Sequence, residues 1–113
     1  MKIEHGRLYL ADLSPGHGTE PGKLRPVVVI QSDLLNVTGH PSTWVLPCTT
    51  RRIGGKHFRL PLPANAAGNT RDCEVMLDQS RAIDNRRFRK ALLPIPPTLL
   101  RELKDKLARL AEL

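Results

Sequence analysis

Only one stretch of this chain has helical periodicity, and it lies at the C-terminal end. Leu100, Leu103, Leu107 and Leu110 recur at spacings of three and four, with Leu99 and Ala111 widening the apolar stripe. Glu102 and Lys106 stand in the favourable acid-before-base order four residues apart. Pro97 fits the first helical turn, where its missing N–H is not needed. Position 96 is then the expected N-cap, and it is Pro96, which has no side-chain oxygen to offer. Lys104 and Lys106 are expected on a solvated helix face.

Everything upstream is short and broken by turn residues, with ten prolines and eight glycines among 113 residues. Residues 8–13 read as a first strand. The next nine, Ser14-Pro15-Gly16-His17-Gly18-Thr19-Glu20-Pro21-Gly22, cannot form a regular element and suit a flap. Pro26-Val27-Val28-Val29-Ile30 is a β-branched run, read as a strand buried on both faces. A polar loop at residues 36–41 leads to a third strand over 43–49, in which Pro47 predicts an edge or a bulge. Residues 57–62 alternate, with Phe58, Leu60 and Leu62 opposed to His57, Arg59 and Pro61. Residues 73–78 repeat the pattern. Segments at 81–83 and 88–93 complete a mainly β chain with a C-terminal helix. The expected architecture is a small barrel or coiled sheet with that helix packed against it, one domain over residues 1–113.

Apolar residues make up 40% of the chain, enough with the glycines for a packed core. No apolar run approaches the roughly 18–20 residues that cross a bilayer. The start, Met1-Lys2-Ile3-Glu4-His5, lacks the apolar core of a signal peptide, so a cytoplasmic location without membrane attachment is expected. Cys48 and Cys73 make neither a disulfide framework nor a CxxC site, and with four histidines they never fall at metal-ligand spacing. Both lie in strand patterns, where buried inert thiols are expected. No Gly-rich nucleotide loop is present. No metal or cofactor is therefore expected.

The net charge of +7 is concentrated. Residues 51–90 carry ten basic side chains (Arg51, Arg52, Lys56, Arg59, Arg71, Arg81, Arg86, Arg87, Arg89 and Lys90) against Asp72, Glu74, Asp78 and Asp84. Such a cluster suits either a solvated face or an anionic partner, most often nucleic acid. Tyr9, Trp44, Phe58 and Phe88 are the whole aromatic supply, too few for a multi-base stacking platform. Arg25 stands where the flap meets the buried run. It is either a strand-end solvent charge or a guanidinium held at the mouth of a site.

Ordered blocks raise the second reading. Gly6, Asp12-Leu13-Ser14-Pro15, Gly18-Thr19-Glu20-Pro21-Gly22, Arg25-Pro26-Val27-Val28-Val29-Ile30, Pro47-Cys48-Thr49-Thr50, Leu77-Asp78-Gln79, Arg81-Ala82-Ile83-Asp84 and the Leu-rich terminal helix follow in sequence. Together they resemble the MazF/PemK/Kid family of toxin–antitoxin toxins over nearly the whole chain. The resemblance implies an SH3-like small β-barrel that forms a homodimer. It also implies a metal-independent endoribonuclease that cuts single-stranded RNA at short sequences, leaving a 2′,3′-cyclic phosphate and a 5′-hydroxyl. The partner would be a cognate antitoxin whose acidic, disordered tail occupies the RNA groove. The family's catalytic arginine matches Arg25 and its catalytic threonine matches Thr49. The implied RNA groove takes in Thr19, Glu20, Thr50, Arg51, Lys56, His57 and Gln79. Three positions depart from the pattern: Arg7 replaces an aspartate, Pro21 replaces the flap glutamine, and Met76 stands where some members carry an arginine with an acid role.

Cleavage by the ribose 2′-OH needs a proton removed, the phosphorane charge stabilised and the 5′-oxygen protonated. Guanidinium is effectively always charged, so Arg25 suits electrostatic stabilisation rather than base work. The Thr49 hydroxyl adds a donor. Glu20 and His57 are both candidates for the base. Two other readings belong to different classes. The gyrase-poisoning toxins of the same fold resemble one another in a C-terminal Trp-Gly-Ile, whereas this chain ends Ala111-Glu112-Leu113. The other is a non-catalytic basic RNA-binding barrel.

Overall fold

In the computed structural model, which describes residues 1–20 and 22–113, the chain forms an antiparallel sheet closed at one side by a helix. The strands are β1 (Arg7–Asp12), β2 (Leu24–Val29), β3 (Ser42–Thr49), β4 (Arg59–Leu62), β5 (Cys73–Met76), β6 (Arg81–Asp84) and β7 (Phe88–Pro94). They lie in the order β4-β5-β3-β2-β1-β7, with β6 also pairing β3. A short helix α1 (Asp33–Asn36) follows β2, and α2 (Pro97–Leu110) ends the fold. The mainly β fold with a C-terminal helix is as the sequence predicts.

The β2 run explains why the sheet coils. Val28 enters a core with Leu8, Leu46, Leu60, Leu62, Val75 and Leu103, beneath α2. Its neighbours Val27 and Val29 point the other way, into a second core with Tyr9, Leu13, Val45, Ile83 and Phe88. A strand whose two faces are both apolar can satisfy them only between two packed layers, each buried valine contributing ~1.5–3 kcal/mol. Tyr9 and Phe88 meet edge to face with ring centroids 5.2 Å apart, and the Tyr9 hydroxyl donates to the Lys2 carbonyl.

Pro47 lies in neither an edge strand nor a bulge. β3 is the most widely shared strand of the sheet, pairing β2 on one side and, in turn, β6 and β5 on the other. Pro47 is tolerated because it falls where β3 passes from one partner to the other. β6 pairs Ser42 to Val45, β5 pairs Cys48 and Thr49, and no residue of either is in register with Pro47. A short helix not expected from the sequence, α1, precedes the polar loop expected at 36–41 and shares only Asn36 with it; α1 buries no side chain and is held by polar contacts. Ser32 Oγ accepts from Leu34 N–H at 3.1 Å, and Gln31 and Asn36 exchange two hydrogen bonds. The alternating segment 57–62 is strand only from Arg59, since residues 56–58 form a turn. The segment 73–78 leaves the strand after Met76 for a 3₁₀ turn, Leu77–Gln79.

Pro96 is the N-cap of α2, no side chain caps the helix, and Pro97 opens its first turn, as expected. Lys106 departs from the expected solvated face. It is half-buried, and its Nζ donates to the Arg59 carbonyl at 3.3 Å, tying α2 to the start of β4.

Candidate RNA-cleavage site

The register of three strands places the site. Arg25 pairs Ala11, and Val27 pairs Pro47. Carrying that register two residues along sets Arg25 across from Thr49, which itself pairs Glu74. Residues directly opposite in antiparallel strands share a face. Arg25, Thr49 and Glu74 therefore form one rank of side chains across β2, β3 and β5.

The Arg25 guanidinium is fixed by backbone rather than by a carboxylate. Its Nε donates to the Gly22 carbonyl at 2.7 Å, and its Nη1 lies 3.5 Å from the Cys48 carbonyl. Among the described residues no carboxylate pairs with it, so the charge is oriented and unneutralised. The Thr49 side chain accepts from the Arg51 N–H at 3.1 Å, which leaves its O–H available to donate. Arg25 and Thr49 line one cavity of about 380 Å³ with Lys23, Leu24, Pro26, Cys48, Thr50 and Arg51. Three cations and no carboxylate face it.

The flap joins β1 to β2 as a closed loop. Leu13 N–H donates to the Lys23 carbonyl at 2.8 Å and Lys23 N–H to Ser14 Oγ at 3.1 Å. Arg87 clamps the same base from the 3₁₀ turn just before β7, its Nη1 donating to the Asp12 and Ser14 carbonyls. Gly16 is required where the loop crosses itself, because a Cβ there would sit 2.6 Å from the Glu20 carbonyl oxygen. Thr19 and Glu20 lie exposed at the far end of this loop, outside the Arg25 cavity. Pro21 is outside the described residues.

The other expected RNA-groove residues divide. Thr50 and Arg51 join the Arg25 cavity. Lys56 lines a separate hollow with Gly54, Gly55, Arg59, Glu74 and Lys106. His57, exposed in the turn before β4, and Gln79, in the 3₁₀ turn after β5, line neither. Neither candidate base, Glu20 or His57, reaches the lining beside Arg25 and Thr49.

Sequence reading missed Glu74. It is buried in β5, and its carboxylate accepts from Ile53 N–H and Gly54 N–H, each at 3.0 Å, and from Arg59 Nη1 at 3.1 Å. Burial alone would raise this carboxyl. The two backbone amides and the Arg59 charge instead hold it below the usual range. The available signal was one acid on the face of a strand whose other face is apolar. Arg59, one of the ten cations of the 51–90 stretch, is consumed by this pair, its side chain 14% exposed.

Both thiols are buried, Cys48 beneath the site. Donation of its S–H to Cys73 and complete burial push the Cys48 thiol well above the usual thiol range.

A coiled antiparallel sheet with one terminal helix and an unneutralised arginine beside a free hydroxyl defines a small cationic β protein suited to phosphate chemistry. The sequence model described as "PemK-like, MazF-like toxin of type II toxin-antitoxin system" matches residues 4–111, and the chain belongs to that family. Endoribonuclease EndoA of Bacillus subtilis (strain 168) is 37% identical over 92 residues, covering 78% of this chain and 76% of that protein. MazF from Deinococcus radiodurans superposes with a TM-score of 0.82 at 27% identity, covering 100% of this chain and 99% of that one. A Mycobacterium tuberculosis MazF toxin shares the fold at 17% identity, with a TM-score of 0.78 and coverage of 95% and 97%. The small barrel expected from the resemblance is the fold of these toxins. Among the described residues no helix is long and apolar enough to cross a membrane.

Proposed function

We propose that this chain is the toxin of a type II toxin–antitoxin pair and a cytoplasmic endoribonuclease that cleaves single-stranded RNA without a metal ion. The observation that carries this reading is the Arg25–Thr49 cavity, with its backbone-fixed guanidinium, its threonine hydroxyl and three lining cations. The ribose 2′-oxygen attacks the adjacent phosphorus and the bond to the 5′-oxygen breaks. The 2′-hydroxyl loses one proton and the 5′-oxygen gains one, so no co-reactant is consumed. Arg25 meets the phosphorane charge with a fixed cation, and Thr49 adds a hydrogen bond that strengthens as that charge develops. Products are a 2′,3′-cyclic phosphate and a 5′-hydroxyl.

The charge of +7 and the cationic cavity suit an antitoxin with an acidic, disordered tail that competes for the same groove. The similar Deinococcus radiodurans toxin was solved as a MazE–MazF complex. Leu34, Val37 and Trp44 are 84%, 76% and 45% exposed, an apolar surface that suits a homodimer contact.

The test is cleavage of a long RNA with and without chelator, followed by sequencing of the 5′-hydroxyl ends. Chelator-resistant cuts at a recurring short sequence, lost in Arg25→Ala, support the reading. Binding without cleavage would instead make the protein a non-catalytic RNA-binding barrel.

A further inference from the structure

The ten cations of residues 51–90 look alike in sequence and differ sharply in the fold. Arg52 pairs Asp72, Arg59 pairs Glu74, Arg86 pairs Asp84, and Arg89 lies 3.8 Å from Asp12. Arg87 is spent on two carbonyls of the flap base. Among the described residues, no hydrogen bond or ion pair occupies the side chains of Arg71 and Lys90. Both line a second cavity of about 250 Å³, with Leu10, Pro26, Thr50, Thr70 and Leu92 among its walls. Pro26 and Thr50 line the Arg25 cavity as well, so the two hollows meet at the start of β2 and the end of β3. Among the described residues, no carboxylate lines either of them.

We propose that this second cavity is a nucleotide subsite, taking the residue of single-stranded RNA next to the cleaved linkage. The proposal rests on the RNA-cleavage reading and extends it by fixing the strand's path. From Arg25 and Thr49 the strand crosses Thr50 and enters between Arg71 and Lys90, away from His57 and Gln79. Leu10, Pro26 and Leu92 form an apolar bed for a base, and the two cations flank the phosphate. No aromatic ring lines the cavity, so the base is held by shape rather than by stacking. Asn69 has no donor left to read it. Its amide nitrogen donates to the Pro63 and Arg71 carbonyls, and its oxygen accepts from Ala67 N–H. The Thr50 and Thr70 hydroxyls can each donate or accept, which predicts weak base preference at this position.

The probe is the shortest RNA that the wild-type protein cleaves, carrying a 2′-deoxy sugar at the cut nucleotide, and versions lengthened by one nucleotide at either end. Arg71→Ala with Lys90→Ala should flatten the plot of log affinity against log salt by about 1 to 1.4, from ~0.7 for each lost phosphate contact. One of the two extensions should tighten binding to wild type and not to this double variant. Thr70→Trp, at an exposed position, should remove the gain from that extension while leaving the salt slope within ~0.3 of wild type, because it blocks the bed and keeps both cations. An unchanged slope in the double variant, with wild-type cleavage intact, overturns the subsite alone. A double variant that keeps its RNA affinity but loses an acidic antitoxin peptide assigns the cavity to that partner and also overturns it. Wild-type protein that neither binds nor cleaves RNA overturns the subsite and the function together.

Discussion

Replacing Glu74 by glutamine tests whether one buried carboxylate holds the loop that follows Thr49. The side chain keeps its shape but loses its charge, and one of its two acceptor oxygens becomes a donor facing an N–H. Glu74 and Arg59 are 5% and 14% exposed, so the pair is not an exposed bridge of the kind worth ~0–1 kcal/mol. Removing one member of a buried pair costs about 3–5 kcal/mol, since the other charge is left without compensation. Glutamine retains one acceptor for Ile53, Gly54 or Arg59, which favours the lower end, about 3 kcal/mol. Changing Arg59 to methionine in the same chain removes the stranded cation. The remaining cost should fall to about 1–2 kcal/mol, for loop amides offered only a neutral acceptor.

The assay is urea unfolding across pH. The Glu74 carboxyl titrates below its ordinary value of about 4.5 in the folded state. Its contribution to stability is therefore fully present above that value and lost as pH falls through the lower, folded one. The gap between wild type and Glu74→Gln should be constant near neutrality and shrink as pH drops below ~4.5. A cost under ~1 kcal/mol at neutral pH, or a gap that does not shrink in acid, would refute the assignment of the loop anchor to this charge.

Arg25→Ala should abolish RNA cleavage with unfolding unchanged, and Thr49→Ala should lose more activity than Thr50→Ala; gel assays that reverse this ranking would shift the site by one residue. Arg51→Ala should flatten the salt dependence of RNA binding by ~0.7, the loss of one phosphate contact, whereas Lys56→Ala, in a separate hollow, should leave it nearly unchanged. Arg101→Ala with Lys104→Ala on α2 should leave it alone, Lys106 being unsuitable as a control because of its bond to the Arg59 carbonyl. Pro96→Ser should add a cap worth ~1 kcal/mol, less the ~0.4–1 kcal/mol that proline gains by restricting the unfolded chain. The net gain of ~0–0.6 kcal/mol corresponds to a rise in thermal midpoint of ~0–3 °C, and a fall would mean that Pro96 stabilises more than a cap can.

What the sequence made legible was local. Val27, Val28 and Val29 announce a strand between two cores because burial on both faces is written in three adjacent residues. Leu100, Leu103, Leu107 and Leu110 announce α2 for the same reason, and Pro96 declares its own missing cap. α1 escaped because it buries nothing; its four residues depend on hydrogen bonds from Ser32, Gln31 and Asn36 that no periodicity encodes. The position of Pro47 escaped because tolerance of a proline depends on which strands lie beside it, and β5 and β6 come later in the chain. Arg25 and Thr49 were named together through ordered motifs, and the β2–β3 register supplies the physical reason that they share a cavity. Charge was the least legible property. A sequence counts cations but not whether they are occupied, and Arg59 finds Glu74 fifteen residues away while Arg87 finds Ser14 across 73. Burial and pairing withdraw several of the ten basic residues of the 51–90 stretch from any partner. Arg51, Arg71 and Lys90 keep their charge directed at two connected hollows, so the fold converts a diffuse basic segment into a short cationic path through the candidate catalytic residues.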